Sequence, residues 1–135
     1  MTAGSAPKSA AQLVGEAKQR ITNLTVDDVA AERETGDPLI VDIREPGERE
    51  QHGSIPGAIA APRGMLEFYA DPTSPYHLPE LDPSRRVILH CAAGGRSALA
   101  ADTLQQMGYT DVAHLDGGFT AWKEAGQPVE GGSGS

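Results

Sequence analysis

At 135 residues the chain has room for one domain and little more. Apolar residues at 39% and charged residues at 22% exclude a wholly disordered chain, and aromatics at 4% leave the core to Leu, Ile, Val and Ala. Nineteen acidic against eleven basic residues give a net charge of −8, a sign that repels phosphate backbones and anionic lipid, so neither nucleic acid nor a membrane is an expected partner.

Residues 1–7 are small and polar and read as loosely held. No continuous apolar stretch of signal-peptide length follows them, and no run anywhere approaches the roughly 20 residues of a membrane helix, which predicts a cytoplasmic protein. Over residues 8–20 the apolar positions Ala10, Leu13, Val14 and Ala17, continued by Ile21, form a helical stripe. This segment, 1–21, stands outside the main domain predicted at 22–130. It is free to pack on that domain or on a second subunit, which leaves a homodimer open. Thr25 and Asp28 make a capping box that opens a helix over 26–34, stopped by Gly36 and Pro38. Residues 38–43 (PLIVDI) read as a buried strand. A Gly-, Pro- and charge-rich passage follows over 44–57, then a small strand at 58–61 and a helical turn or two at 65–69. Residues 71–83 carry four prolines and read as a surface loop.

The clearest unit comes next. Residues 87–91 (VILHC) form a strand, 92–96 a glycine-containing turn, and 97–107 a helix closed by Gly108. A further strand at 112–115 turns through 116–118 into a last helix over 119–125, and 131–135 (GGSGS) has the composition of a flexible tail. Strand–helix alternation at this spacing predicts an α/β domain with parallel pairing, helices on both faces, and functional loops at the carboxyl ends of the strands.

One such loop concentrates chemistry. In His90–Cys91–Ala92–Ala93–Gly94–Gly95–Arg96–Ser97 the cysteine ends a buried strand just before a helix. The small residues Ala92, Ala93, Gly94 and Gly95 let the backbone curl with its N–H groups inward. The helix adds the positive end of its dipole, and Arg96 adds a cation with a fork of donors. These features converge on the sulfur of Cys91. A free thiol with pKa near 8.5 is only about 3% ionised at pH 7, and a fall of about two units makes the thiolate the majority form. A lone cysteine on an apolar strand is by default a small core residue, but such a residue needs no anion nest. Cys91 is also the chain's single cysteine, which excludes an internal disulfide and a multi-cysteine metal cage.

The segment resembles the active-site loop of the rhodanese family, in which a cysteine opens a six-residue loop ending in a basic or polar residue. Asp42–Ile43–Arg44–Glu45 resembles the family's Asp-x-Arg-Glu. Gly53–Ser54–Ile55–Pro56–Gly57–Ala58 resembles its Gly-His-Ile-Pro-Gly-Ala, with Ser54 in the histidine position. Leu115–Asp116–Gly117–Gly118 with Trp122 resembles its Leu-x-Gly-Gly and downstream Trp. The likeness covers about residues 22–129. It implies a five-stranded, mostly parallel sheet flanked by helices and a sulfurtransferase without a cofactor, acting through a persulfide on Cys91. The donor it implies is thiosulfate or a persulfide, and the acceptor cyanide, a thiol or a protein. The second loop position is commonly Arg in thiosulfate-using relatives; Ala92 in its place removes a cation for the sulfonate end and points to another sulfane-sulfur donor. A slow sulfur-relay or protein-binding module is the alternative. Cysteine phosphatases hold one more residue between Cys and Arg than the four of this chain, and the shorter ring suits sulfur better than a phosphoryl group.

Asp42 and Arg44 fall at the end of the neighbouring strand, where an ion pair bracing 44–57 is the expected role. His90 alternates away from the nucleophile. His52, His77 and His114 have no metal-ligand spacing, so no metal is expected.

Overall fold

Short branched segments make the centre of the structure, a computed structural model that describes residues 6–133. β2 (Leu39–Asp42), β4 (Val87–His90) and β5 (Val112–Leu115) are buried at every position, as strands covered on both faces must be. With β1 (Thr22–Leu24) and β3 (Ile59–Ala60) they form one parallel sheet of order β1-β5-β4-β2-β3. Alternation sorts the side chains. Leu39, Val41, Val87, Leu89 and Cys91 pack with Leu66 and Ala70 of α4 (Leu66–Ala70) and with Ala100, Ala101 and Leu104 of α5 (Gly95–Gln106). Ile40, Ile88 and Leu115 face Val29 of α2 (Val26–Thr35) and Phe119 and Trp122 of α6 (Gly118–Glu124). The register pairs Asp42 with His90, so β2 and β4 end side by side and their following loops share one edge.

The capping box of α2 forms as expected, with Thr25 and Asp28 exchanging hydrogen bonds. Two elements are missing from the sequence reading. β1 is a short edge strand whose first two residues are exposed, too little apolar alternation to read. α3 (Pro46–His52) lies inside the passage read as irregular. It buries no residue, so it leaves no hydrophobic periodicity, and it starts on Pro46 with Glu45 and Glu48 forming the cap. α5 also begins at Gly95, two residues before the expected start.

α1 (Ala10–Arg20), capped by Ser9 and Gln12, packs on α5. Ala17 is fully buried, Val14 lies against Gly95, Arg20 pairs with Asp102 at 2.7 Å, and Lys18 reaches Asp116 at 2.8 Å. At the other end, Ser54 and Glu130 form an antiparallel bridge. Gly131–Ser133 of the expected flexible tail continue along the same edge, with the Ser133 amide bonded to the Glu50 and Gln51 carbonyls. Residues 1–5 of the loose N-terminal stretch and 134–135 of the tail lie outside the described residues. Among the described residues no helix is long and apolar enough to cross a membrane.

Candidate active site

Cys91 follows directly on β4 and is 1% exposed. Its loop turns back on itself through Gly94, whose φ of 107° lies in the left-handed region that glycine alone enters freely. The turn brings the Gly94 amide to 3.1 Å and the Ser97 amide to 3.4 Å from Sγ, and the thiol reaches the Ser97 Oγ at 3.6 Å. α5 starts here, so the positive end of a twelve-residue helix adds to the amides. Burial works against a charge on the sulfur. The hydroxyl of Ser97 (where its proton faces Sγ) and the amides of Ser97, Gly94 and Ala93 outweigh it, and the Cys91 pKa falls below its ordinary value.

The loop is braced from behind. The Phe119 amide donates to the Cys91 carbonyl at 2.8 Å and the Thr120 amide to the Ala92 carbonyl at 3.0 Å, so the start of α6 holds both carbonyls away from the sulfur. This approach requires Gly118. A methyl there would stand 2.7 Å from the Ala93 nitrogen and closer still to the Ala92 carbonyl, at a φ of 66°. Gly118 therefore does more than ease the turn into α6.

Arg96 bears on the sulfur through its charge and a side-chain contact, and its two terminal nitrogens serve a second partner. Nη1 and Nη2 donate to Glu48 Oε1 and Oε2 at 2.8 and 2.9 Å, a bidentate pair between α5 and α3. The pair holds the Glu48 carboxyl down at about 2 and raises the Arg96 pKa further. Asp42 and Arg44 make a buried ion pair, with Nε and Nη2 of Arg44 at 3.0 and 2.8 Å from the carboxylate. Arg44 also donates to the Gly53 carbonyl at 2.8 Å and lies 4.2 Å over the Phe119 ring, while Arg49 adds a contact to Asp42 at 3.1 Å. Burial opposes the Asp42 charge, yet Arg44 and the nearby His90 keep its carboxyl below the ordinary range. His90 points to the opposite face from Cys91, stacks on Phe119 and has its Nε2 3.8 Å from Asp42. A cavity of about 430 Å³ opens beside the loop between Ala92, Glu48, Arg44, Phe119 and Lys123.

Two residues were not placed at the site from sequence: Glu48 was not considered, and His114 was weighed only as a metal ligand. Glu48 sits on the unpredicted α3, 48 positions from its partner. His114 occupies the same sheet face as Cys91: its Nδ1 lies 2.8 Å from the Ser97 Oγ, and its Nε2 lies 2.7 Å from Asn23 Oδ1. The signal for His114 was available, since β5 alternates like β4 and pairs His114 with Leu89, a face-mate of Cys91.

Comparison with known proteins agrees with this architecture. The family model described as Rhodanese-like domain matches residues 25–125. A sulfurtransferase from Allochromatium vinosum is 38% identical, over 71% of this chain and 81% of that protein. The thiosulfate sulfurtransferase GlpE of Pseudoalteromonas translucida is 35% identical, over 66% of this chain and 76% of its own. Other relatives are longer, and the chain spans 46% and 21% of two of them. A solved structure from Rhodopseudomonas palustris, a protein of unknown function described as a possible tyrosine phosphatase, superposes with a TM-score of 0.88 at 43% identity, covering 96% of this chain and 100% of that one.

Proposed function

The chain belongs to the rhodanese-like domain family, and from that premise we propose that it is a sulfurtransferase whose nucleophile is Cys91. The observation that carries the reading is the convergence of the Gly94 and Ser97 amides on Sγ at the start of α5. The Cys91 thiolate attacks the outer, sulfane sulfur of a donor. A Cys91–sulfur bond forms as the donor's own bond to that sulfur breaks, and the electron pair departs with the leaving group, a thiolate from a persulfide or sulfite from thiosulfate. The loop amides then face the terminal sulfur of the persulfide. A nucleophilic acceptor (cyanide in an assay, a thiol or a sulfur-carrier protein in the cell) takes that sulfur and returns Cys91 as thiolate.

Two features favour a persulfide or polysulfide donor over thiosulfate. Ala92 contributes no cation, and the terminal nitrogens of Arg96 are already taken by Glu48. The likeness to a possible tyrosine phosphatase raises phosphoryl transfer as a rival, but only four residues separate Cys91 from Arg96, and the guanidinium that would clamp a phosphoryl group is held by Glu48.

Intact-mass measurement after incubation with an inorganic polysulfide tests the reading. A gain of about 32 Da, one sulfur atom, is expected on the parent and is absent from Cys91→Ser. Steady-state thiocyanate release with cyanide then separates an enzyme from a slow relay. No adduct, or phosphate release from an aryl phosphate in its place, overturns the proposal.

A further inference from the structure

Ser97 has one hydroxyl proton and three acceptors around it: His114 Nδ1 at 2.8 Å, the Gly94 carbonyl at 3.3 Å and Cys91 Sγ at 3.6 Å. Whichever takes the proton decides whether the sulfur meets a donor or a lone pair. The choice is set from outside the loop. Asn23 donates through Nδ2 to the Lys18 carbonyl at 3.0 Å, which turns its Oδ1 toward His114 Nε2 at 2.7 Å. Facing an acceptor, Nε2 carries the ring proton, and in the neutral imidazole Nδ1 is then a bare acceptor. Burial holds the ring neutral, its pKa pushed down to about 4. The nearer nitrogen takes the Ser97 proton, and Ser97 presents a lone pair to Cys91.

We infer that His114 is a positioning residue for Cys91: by holding the Ser97 hydroxyl proton it withholds that donor from the sulfur and leaves the thiolate to the backbone amides. The inference rests on the reading of Cys91 as nucleophile and adds a limit to its acidity. Thiolate nucleophilicity falls as the thiol becomes more acidic, so the best attacking thiol titrates near ambient pH. Against burial, the amides of Ser97, Gly94 and Ala93 draw the Cys91 pKa down, and the His114–Ser97 bond withholds the Ser97 hydroxyl, the strongest of the lowering contacts. The reverse role, in which His114 receives the thiol proton through Ser97, is opposed by burial, which pushes the ring's pKa down to about 4 and makes it a poor base. Of the charged groups around this relay, Lys18 of α1 pairs with Asp116 after β5, and Arg96 of α5 pairs with Glu48 of α3 while its charge also bears on Cys91, equally in the parent and in the variants below. Asn23 on β1 is neutral, so Cys91 after β4 is the titrating group that the His114–Ser97 bond governs.

The test is the pH dependence of Cys91 alkylation by iodoacetamide, followed by intact mass, which requires no sulfur donor. His114→Leu lowers the alkylation midpoint by about one pH unit, because the freed hydroxyl turns to the thiolate. His114→Asn, whose Oδ1 replaces the acceptor, stays near the parent. Ser97→Ala in the His114→Leu background restores the parent midpoint. Asn23→Ala, on the exposed edge strand, releases the ring to its other tautomer and shifts the midpoint in the same direction by less; it decides the matter if His114→Leu does not fold. Nitrogen-15 NMR of the parent shows the Nε2–H tautomer throughout the Cys91 titration. A midpoint that rises or stays put in the folded variants, or an imidazolium that appears as Cys91 ionises, overturns the inference. Absence of a persulfide with these shifts intact sinks the sulfurtransferase reading alone.

Discussion

Glu48 grips Arg96 with both carboxylate oxygens, at 2.8 and 2.9 Å, and so joins the short helix α3 to the first turn of α5 beside Cys91. The bond has two consequences. It anchors a helix that buries nothing of its own, and it occupies the two terminal nitrogens that an anionic donor would otherwise engage. Because the Glu48 carboxyl is held at about 2, the pair stays ionised across any ordinary working range.

Releasing Arg96 therefore alters donor choice. Glu48→Gln is expected to raise kcat/KM for thiosulfate by about tenfold, the scale of one charge-assisted contact. Ala92→Arg moves the same quantity in the same direction by adding a second cation. Steady-state thiocyanate formation measures both; an unchanged or lower kcat/KM in both variants means that charge at the loop does not set donor preference.

The pair beneath the loop is structural. Arg44 is 1% exposed and Asp42 fully buried, so Asp42→Asn leaves a guanidinium without its counter-charge inside the fold. Losses on breaking such a pair run to about 3–5 kcal/mol. Urea unfolding is the measurement, and a change under about 1 kcal/mol is incompatible with this role.

Gly118→Ala is expected to be costly both to stability and to persulfide formation. The added methyl meets backbone atoms that cannot yield, at a positive φ. A loss of about 2–4 kcal/mol in urea, with less sulfur adduct by mass, is the expected pair of results. Full adduct formation at parental stability contradicts the close approach of α6 to the loop.

Acid sensitivity falls in two windows. His114 shifts from 6.5 to about 4 in the fold, so between those values the unfolded chain binds a proton that the native state refuses. Stability declines as pH falls from 6.5 to about 4, by at most roughly 3 kcal/mol, and buried His90 acts in the same sense. Glu48, depressed from 4.5 to about 2, contributes stability that is present above 4.5 and lost on the way down to about 2. Urea midpoints across pH check this: His114→Asn flattens the upper window and Glu48→Gln the lower. A parent with level stability from neutrality down to pH 4 rejects the upper assignment.

What could be read beforehand follows from where the signal lies. The strands holding Leu39–Asp42, Val87–His90 and Val112–Leu115 are buried on both faces and announce themselves as branched runs, and the Cys91 loop is written in consecutive residues. α3 buries no residue, and β1 pairs along one edge only, so neither imposes a pattern on its residues. The partner of Arg96 lies in that unread helix, which is why the guanidinium looked free. His114 was reachable by carrying β-strand alternation across to a neighbour whose order in the sheet was still unknown.

The two carbonyls tied to the start of α6 fix the orientation of the peptide planes behind Cys91 before any cargo arrives. On the proposed reading, loading and unloading of sulfur proceed against a rigid mould. Hydrogen exchange of the Phe119 and Thr120 amides should therefore keep one tempo with and without a sulfur on Cys91, while the far side of the cavity is closed separately, by α3 and the strip stitched to it at Ser133.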